Sequence, residues 1–210
     1  MSIIVNKQTK ILIQGITGKQ GRQACFEIVS YGGNVVGGVT PGKGGQEVDG
    51  LPVFDSVSEA VEKLGGVDFS MVYVPPLLVY GAAMEAVNAK VPNLHIFAEN
   101  VPIIDVCRIL FKARESGVTV LGPNSVGVIS PEEGKVGSIG GPNPENVFKK
   151  GNVGVISKSG GMCSELGNLI TGSGLGESTV VGVGGDLLAG TTFSDVLLKF
   201  QHDDETKVVV

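Results

Sequence analysis

A doubly wound α/β fold over parallel sheets is predicted for this chain of 210 residues, on three observations. Short apolar runs alternate with segments of helical period, the pattern of repeated strand–helix–strand crossovers. Several runs, such as Val67 to Val74, are apolar on both alternating faces, as expected of strands covered on two sides. Twice such a run breaks into small residues and then enters a helical segment, at Gly15-Ile-Thr-Gly18-Lys-Gln-Gly21 and at Ser157-Lys-Ser-Gly-Gly161. Parallel sheets present helix N-termini to ligands in this way.

Lys10 to Gln14 reads as the first strand and Arg22 to Tyr31 as the helix beyond the first glycine turn. The turn is G-x-x-G-x-x-G, neither the dinucleotide fingerprint nor a Walker loop. Its glycines let backbone approach a pyrophosphate, and the helix dipole and unpaired amides favour negative charge. Asn34 to Val39 is the second strand, ending in Thr40-Pro-Gly-Lys43-Gly-Gly45. A nicotinamide dinucleotide needs a carboxylate here for the ribose hydroxyls, and none is present. A lysine in that turn suits an additional phosphate, on the ribose of NADP or at the 3′ position of coenzyme A; a solvated surface lysine is the plainer alternative.

Val53-Phe54 follows as an edge strand and Ser56 to Leu64 as a helix capped by Asp55 or Ser56. Val67 to Val74 is a strand stopped by Pro75-Pro76; Leu77 to Lys90 is a helix, Leu94 to Ala98 a strand, Ile103 to Ser116 a helix and Val118 to Leu121 a strand. Between Gly122 and Gly151, prolines 123, 131, 142 and 144 leave no room for a long helix. This stretch reads as a connector with a hairpin near Val126–Ile129 and Lys135–Ile139. A second series then runs from strand 152–157 through helix 161–171, strand 178–183 and helix 191–201 to an apolar strand beginning at Val208. Three segments result: a first sheet unit over 1–125, a connector over 126–150, and an unfinished second unit over 151–210.

Composition narrows the function. With 42% hydrophobic and 18% charged residues, and no apolar run near the ~18 residues of a membrane span, the chain reads as soluble and globular. Its first eight residues lack the layout of a signal peptide, so a cytoplasmic location is expected. A net charge of −5 without a basic run argues against nucleic acid. Cys25, Cys107 and Cys163 are odd in number and widely spaced, which argues against a disulfide framework or a metal site and fits a reducing compartment.

Taken together, the glycine turn, Gly37-Gly-Val-Thr-Pro-Gly-Lys-Gly-Gly45, Gly50-Leu-Pro-Val-Phe54, Val72-Tyr-Val-Pro-Pro76, Gly122-Pro-Asn124 and Ser157-Lys-Ser-Gly160 resemble the α subunit of succinyl-CoA synthetase. The resemblance implies a Rossmann-like CoA-binding domain followed by the first part of a flavodoxin-like ligase domain. It implies coenzyme A held by Thr17, Gly18, Lys19, Gln20 and Lys43, with Tyr73, Val74, Pro75, Phe97, Ala98 and Glu99 lining the rest of the groove. It implies that Asn124, Ser159, Gly160 and Gly161 face a small carboxylic acid and phosphate. The partner it implies is an ATP-grasp β-type subunit carrying ATP or GTP with magnesium. In the family the last strand leads to a glutamate and a phosphorylated histidine in a glycine-flanked segment; neither is within these residues, so no catalytic residue is assigned and the chain reads as part of a synthetase subunit.

One departure bears on the acid. Ser159-Gly-Gly-Met162 with Glu165-Leu166 is similar to ATP-citrate lyase and citryl-CoA synthetase, and a second glycine opens space for a larger acid. Cys163, in the first helical turn, is either a dipole-activated thiolate or a small packing residue. His95 is expected as a hydrogen-bonded core residue and His202 at an exposed helix end, with Asp203 to Glu205 a solvated turn and Glu85 and Glu115 at ordinary helix surfaces. Neither histidine has the partners of a hydrolase triad. Beside the ligase stand a non-catalytic CoA-binding regulatory module, and a dehydrogenase weakened by the missing carboxylate.

Overall fold

The computed structural model describes residues 3–210, so the first two positions of the stretch read for a leader lie outside it. β1 (Ile11–Gln14), β2 (Val35–Val39), β4 (Leu51–Phe54), β5 (Phe69–Val72), β6 (Asn93–Ile96) and β7 (Thr119–Leu121) form parallel neighbours in the order β4-β2-β1-β5-β6-β7. That is the doubly wound order, with the winding reversing between β1 and β5. A two-residue strand, β3 (Glu47–Val48), turns through Asp49-Gly50 and caps the edge as an antiparallel neighbour of β4; it is too short to register as a period. The second sheet contains β8 (Gly127–Ser130), β9 (Gly134–Gly137), β10 (Lys150–Ser157), β11 (Glu177–Gly182) and β12 (Val208–Val209), in the order β12-β10-β11-β8-β9.

The hairpin expected within the proline-rich connector is present as β8 and β9, and the connector is more than a link, because β8 also pairs antiparallel with β11 and so joins the second sheet. Its glycines reflect backbone crowding: a Cβ on Gly127 or Gly137 would collide with the opposite strand. The helices are α1 (Lys19–Ser30), α2 (Val57–Leu64), α3 (Val79–Asn88), α4 (Ile103–Ser116), α5 (Gly160–Gly172) and α6 (Phe193–Gln201). α1 begins three residues before the predicted start, because Gly18 rather than a side chain opens it. Ser56 settles the cap of α2 by accepting from Glu59 N, and Thr192 with Asp195 forms a reciprocal capping box on α6. Glu85 is not an ordinary surface residue: it is half-buried and accepts from Val57 N, tying α3 to the start of α2. No helix among the described residues is long and apolar enough to cross a membrane.

Strand alternation decides what covers each face. Leu12, Val39, Phe54, Val72 and Leu94 pack under α2, α3 and α4. Ile11, Ile13, Phe69, Met71 and Tyr73 share one core with Ala24 and Ile28 of α1 and with Val128, Val136 and Val181 of the second sheet. The second sheet thus covers that face together with α1, while its own far face packs Val153, Val155 and Val180 against Cys163 of α5.

One ion pair crosses this shared core. Lys135 of β9 is fully buried, with Nζ 3.7 Å from Glu27 Oε2 on α1 and 2.6 Å from Gly141 O, while Gln23 Nε2 donates to Glu27 Oε1 at 2.8 Å. Burial pushes the Lys135 ammonium below its ordinary range, with Glu27 opposing. His95 is also in the core: its Nε2 lies 2.9 Å from Ser125 O, Nδ1 has no partner, and burial pulls its pKa down to about 4, so the ring is neutral at pH 7.

Candidate functional site

The residues singled out in the sequence follow one another along the carboxyl edge of the first sheet. Lys43 follows β2, Thr17 to Gln20 follow β1, Tyr73 to Pro75 follow β5, Phe97 to Glu99 follow β6 and Asn124 follows β7. Four strand steps of ~4.8 Å make this edge roughly 20 Å long, with the winding reversal near its middle, the usual place for a ligand crevice in such sheets.

Two glycines shape the turn after β1. Gly15 has φ +81° and no room for a side chain, since a Cβ would strike the Tyr73 carbonyl; a Cβ on Gly21 would strike the Gly15 carbonyl. α1 is thereby drawn down onto the strand end. No side chain caps it at Gly18, so the amides of its first turn remain available with the positive end of the dipole. Lys43 reaches the same place: its Nζ donates to Thr17 Oγ1 at 3.3 Å, and Thr17 Oγ1 lies 3.2 Å from Thr40 Oγ1. Its loop is fastened by Gly44 N to Asp55 Oδ1 at 2.9 Å and Gly45 N to Val53 O at 3.0 Å. A groove of about 480 Å3 continues from Thr17 to Lys19 past Arg22, Gln23, Phe26 and Asp49. The motif residues end at Gln20, so these four were missed; Arg22 and Phe26, exposed one turn apart on the helix just beyond the glycines, were the available signal.

The remaining groove residues divide. Val74 and Ala98 are half-buried and Pro75 and Glu99 exposed at the edge. The Tyr73 ring instead turns inward, stacked on Phe97 at 4.9 Å and 25°, with its hydroxyl buried and unpartnered. Burial, with Glu27 adding to it, pushes that phenol well above its ordinary range. Only the Tyr73 backbone lies against the glycine turn.

The second glycine-rich loop opens α5. Ser159 caps the helix by accepting from Met162 N at a long 3.4 Å, and its own amide donates to Ser157 Oγ at 3.1 Å. Gly160 is required by packing, since a Cβ would strike Val126, whereas the Gly161 position has only Ser159 Oγ nearby, at 3.8 Å. Cys163 is buried, and desolvation raises its thiol to about 11. That outweighs the helix dipole and leaves the packing role.

Asn124 joins the two regions. With φ +55°, its amide donates to Ala98 O at 2.9 Å, its carbonyl accepts from Gly185 N at 2.9 Å, and its Nδ2 donates to Asp186 Oδ1 at 3.0 Å. Lys158 Nζ in turn donates to the Asp186 carbonyl at 3.2 Å. One hydrogen-bonded chain therefore runs from the Phe97–Glu99 loop through Asn124 and Asp186 to Lys158, beside the Ser159 cap. Asp186 went unnoticed in the sequence, although Gly184-Gly185 after an apolar strand repeats the strand-and-glycine signature. The arrangement offers two anion-favouring helix starts linked by a polar bridge.

Residues 6–100 match a family described as CoA binding domain and residues 156–210 one described as CoA-ligase. Over all 210 residues the chain is 43% identical to succinate–CoA ligase (ADP-forming) subunit alpha 2 of Archaeoglobus fulgidus, spanning 71% of that protein. It is 40% identical to the corresponding alpha subunit of Staphylococcus aureus, spanning 68% of it. Among solved structures, the ATP citrate lyase of Methanothrix soehngenii in complex with citrate and coenzyme A superposes with a TM-score of 0.87 at 22% identity, over 98% of this chain and 36% of that one. A dinucleotide-forming acetyl-coenzyme A synthetase of Ca. Korarchaeum cryptofilum gives 0.71 at 24% identity, over 96% and 43%. At these identities the two structures speak to the fold.

Proposed function

The chain belongs to the succinate–CoA ligase α-subunit family, and on that premise we propose that it supplies the CoA site of a nucleotide-dependent ligase forming succinyl-CoA. The observation that carries this reading is the Asn124–Asp186–Lys158 bridge between the groove edge and the α5 loop. A binding module needs a single anion site; a ligase must bring a thiol and an activated acid to one point. The first-turn amides of α1 would receive the pyrophosphate, Lys43 a further phosphate, and the β5 and β6 ends the arm that leads toward Asn124. The α5 amides and Ser159 would hold the anionic end of the acid or its phosphate.

The fit to coenzyme A rests on the crowding around Gly15 and Gly21, which leaves backbone where a side chain would block a phosphate. When bound, CoA supplies the thiol that attacks the activated acid. Neither histidine present is placed to carry a phosphoryl group, His95 being sealed in the core and His202 lying at the end of α6. That group would come from outside the residues described. The partner we propose is an ATP-grasp β-type subunit holding ATP or GTP with magnesium, and the free thiols Cys25, Cys107 and Cys163 support a cytoplasmic setting. A citrate-using ligase is the second reading, favoured by the open space at Gly161.

Lys43→Ala tests the phosphate assignment. A charge-assisted hydrogen bond contributes roughly 1.5–3 kcal/mol, so calorimetry should show CoA weakened more than tenfold and dephospho-CoA almost unaffected. Equal losses for both would move Lys43 to the pyrophosphate; no loss would return it to solvent.

A further inference from the structure

Asn124 and Asp186 stand in an arrangement whose chemistry is fixed by what each can do. A carboxylate only accepts, so the half of the Asn124 side chain facing Asp186 Oδ1 at 3.0 Å must be the nitrogen. The oxygen, Oδ1, is then the outward half, and it has no partner among the described residues. The rest of Asn124 is equally committed, its amide to Ala98 O and its carbonyl to Gly185 N, so the residue cannot turn as a whole. Asp186 is itself held by Lys158 Nζ on its carbonyl. The neighbouring Gly185 leaves the approach clear: a Cβ there would sit 3.0 Å from Asn124 Nδ2 and push the carboxamide off the carboxylate.

We propose that Asp186 is a positioning residue that sets the Asn124 carboxamide oxygen as a hydrogen-bond acceptor for the uncharged arm of coenzyme A. The edge order supports that ligand. From Lys43 and the glycine turn the carboxyl ends pass β5 and β6 before reaching Asn124, a run of roughly 14 Å from β1 to β7 at ~4.8 Å per strand. A molecule anchored by its phosphates at α1 and extended along this edge brings its amide N–H and thiol groups, both donors, to Asn124. An outward acceptor beside a carboxylate suits such donors and disfavours a phosphate or carboxylate, so Asn124 serves the thiol arm rather than the anion assigned to it by the sequence. The proposal rests on the CoA reading above.

Two ligands separate the roles: CoA, and adenosine 3′,5′-bisphosphate, which lacks the arm. In titrations of the full chain, Asp186→Ala should weaken CoA about five- to tenfold, the scale of one lost hydrogen bond, and leave the bisphosphate within twofold of wild type. Asp186→Asn, whose amide oxygen still accepts from Asn124 Nδ2, should keep CoA affinity within about twofold of wild type. Equal weakening of both ligands by Asp186→Ala would make Asp186 merely structural and overturn the proposal, as would no weakening of either. Asp186→Asn as weak as Asp186→Ala would show a charge effect in place of orientation and would overturn it equally. A wild-type chain that binds neither ligand would overturn the CoA reading itself, and this proposal with it.

Discussion

Gly15→Ala is expected to reduce CoA affinity a hundredfold or more. The residue sits at φ +81° with the Tyr73 carbonyl where a Cβ would go, so alanine strains the backbone and forces β1 and β5 apart at the crevice. A non-glycine residue in such a conformation costs about 1–3 kcal/mol before any clash. The turn would relax by lifting α1, and losing two amide contacts to phosphate at roughly 1.5–3 kcal/mol each gives a loss on the order of 10²–10⁴ in affinity. Calorimetry measures this directly, with thermal melting as the check that the chain remains folded. A folded Gly15→Ala protein with near-wild-type affinity would show that the glycine turn does not hold the ligand. Gly18→Ala is the comparison: its Cβ would lie 3.2 Å from the Gly15 carbonyl, without the positive φ, so a smaller loss is expected.

The second large effect is on stability. Lys135→Met removes the cation of β9 that faces Glu27 of α1 and leaves a buried carboxylate whose Oε2 already lacks a hydrogen bond. Breaking a buried pair from one side costs about 3–5 kcal/mol, whereas replacing both members with apolar residues of similar volume is often neutral or stabilising. In urea unfolding, Lys135→Met should be strongly destabilised, and Glu27→Leu combined with Lys135→Met should recover most of the loss. A single variant within about 1 kcal/mol of wild type would mean that the Glu27 charge is neutralised by something other than Lys135.

The parallel sheet was legible because its signals are local. Ile103 to Ser116 was bounded correctly by Pro102 on one side and by Gly117, left-handed at φ +71°, on the other. What the sequence hid are features made by distant parts of the chain. The β8–β9 hairpin is legible in the sequence, but its pairing with β11, which makes it part of the second sheet, is not, and nothing near Lys135 announces that Glu27, on the helix beyond the glycine turn, will neutralise it. The same holds at the site. Thr17, Gly18 and Lys43 were visible as motif residues, and the structure brings Lys43 onto Thr17. Asp186 was not, because its meaning lies in the hydrogen bond to Asn124, 62 positions away. Tyr73 shows the reverse case: its place at the end of β5 is legible from the motif, but alternation along the strand sends its ring into the shared core with Phe69 and Met71.

The uncapped start of α1, closed by Lys43 and with no acidic residue in the Thr40–Gly45 turn that ends β2, is expected to select coenzyme A over a nicotinamide dinucleotide. Titrating the wild-type chain with CoA and with NAD under identical salt conditions tests this selectivity most directly. Binding of CoA at least tenfold tighter than NAD is the predicted result; equal affinity for the two, or no binding of CoA, would contradict it.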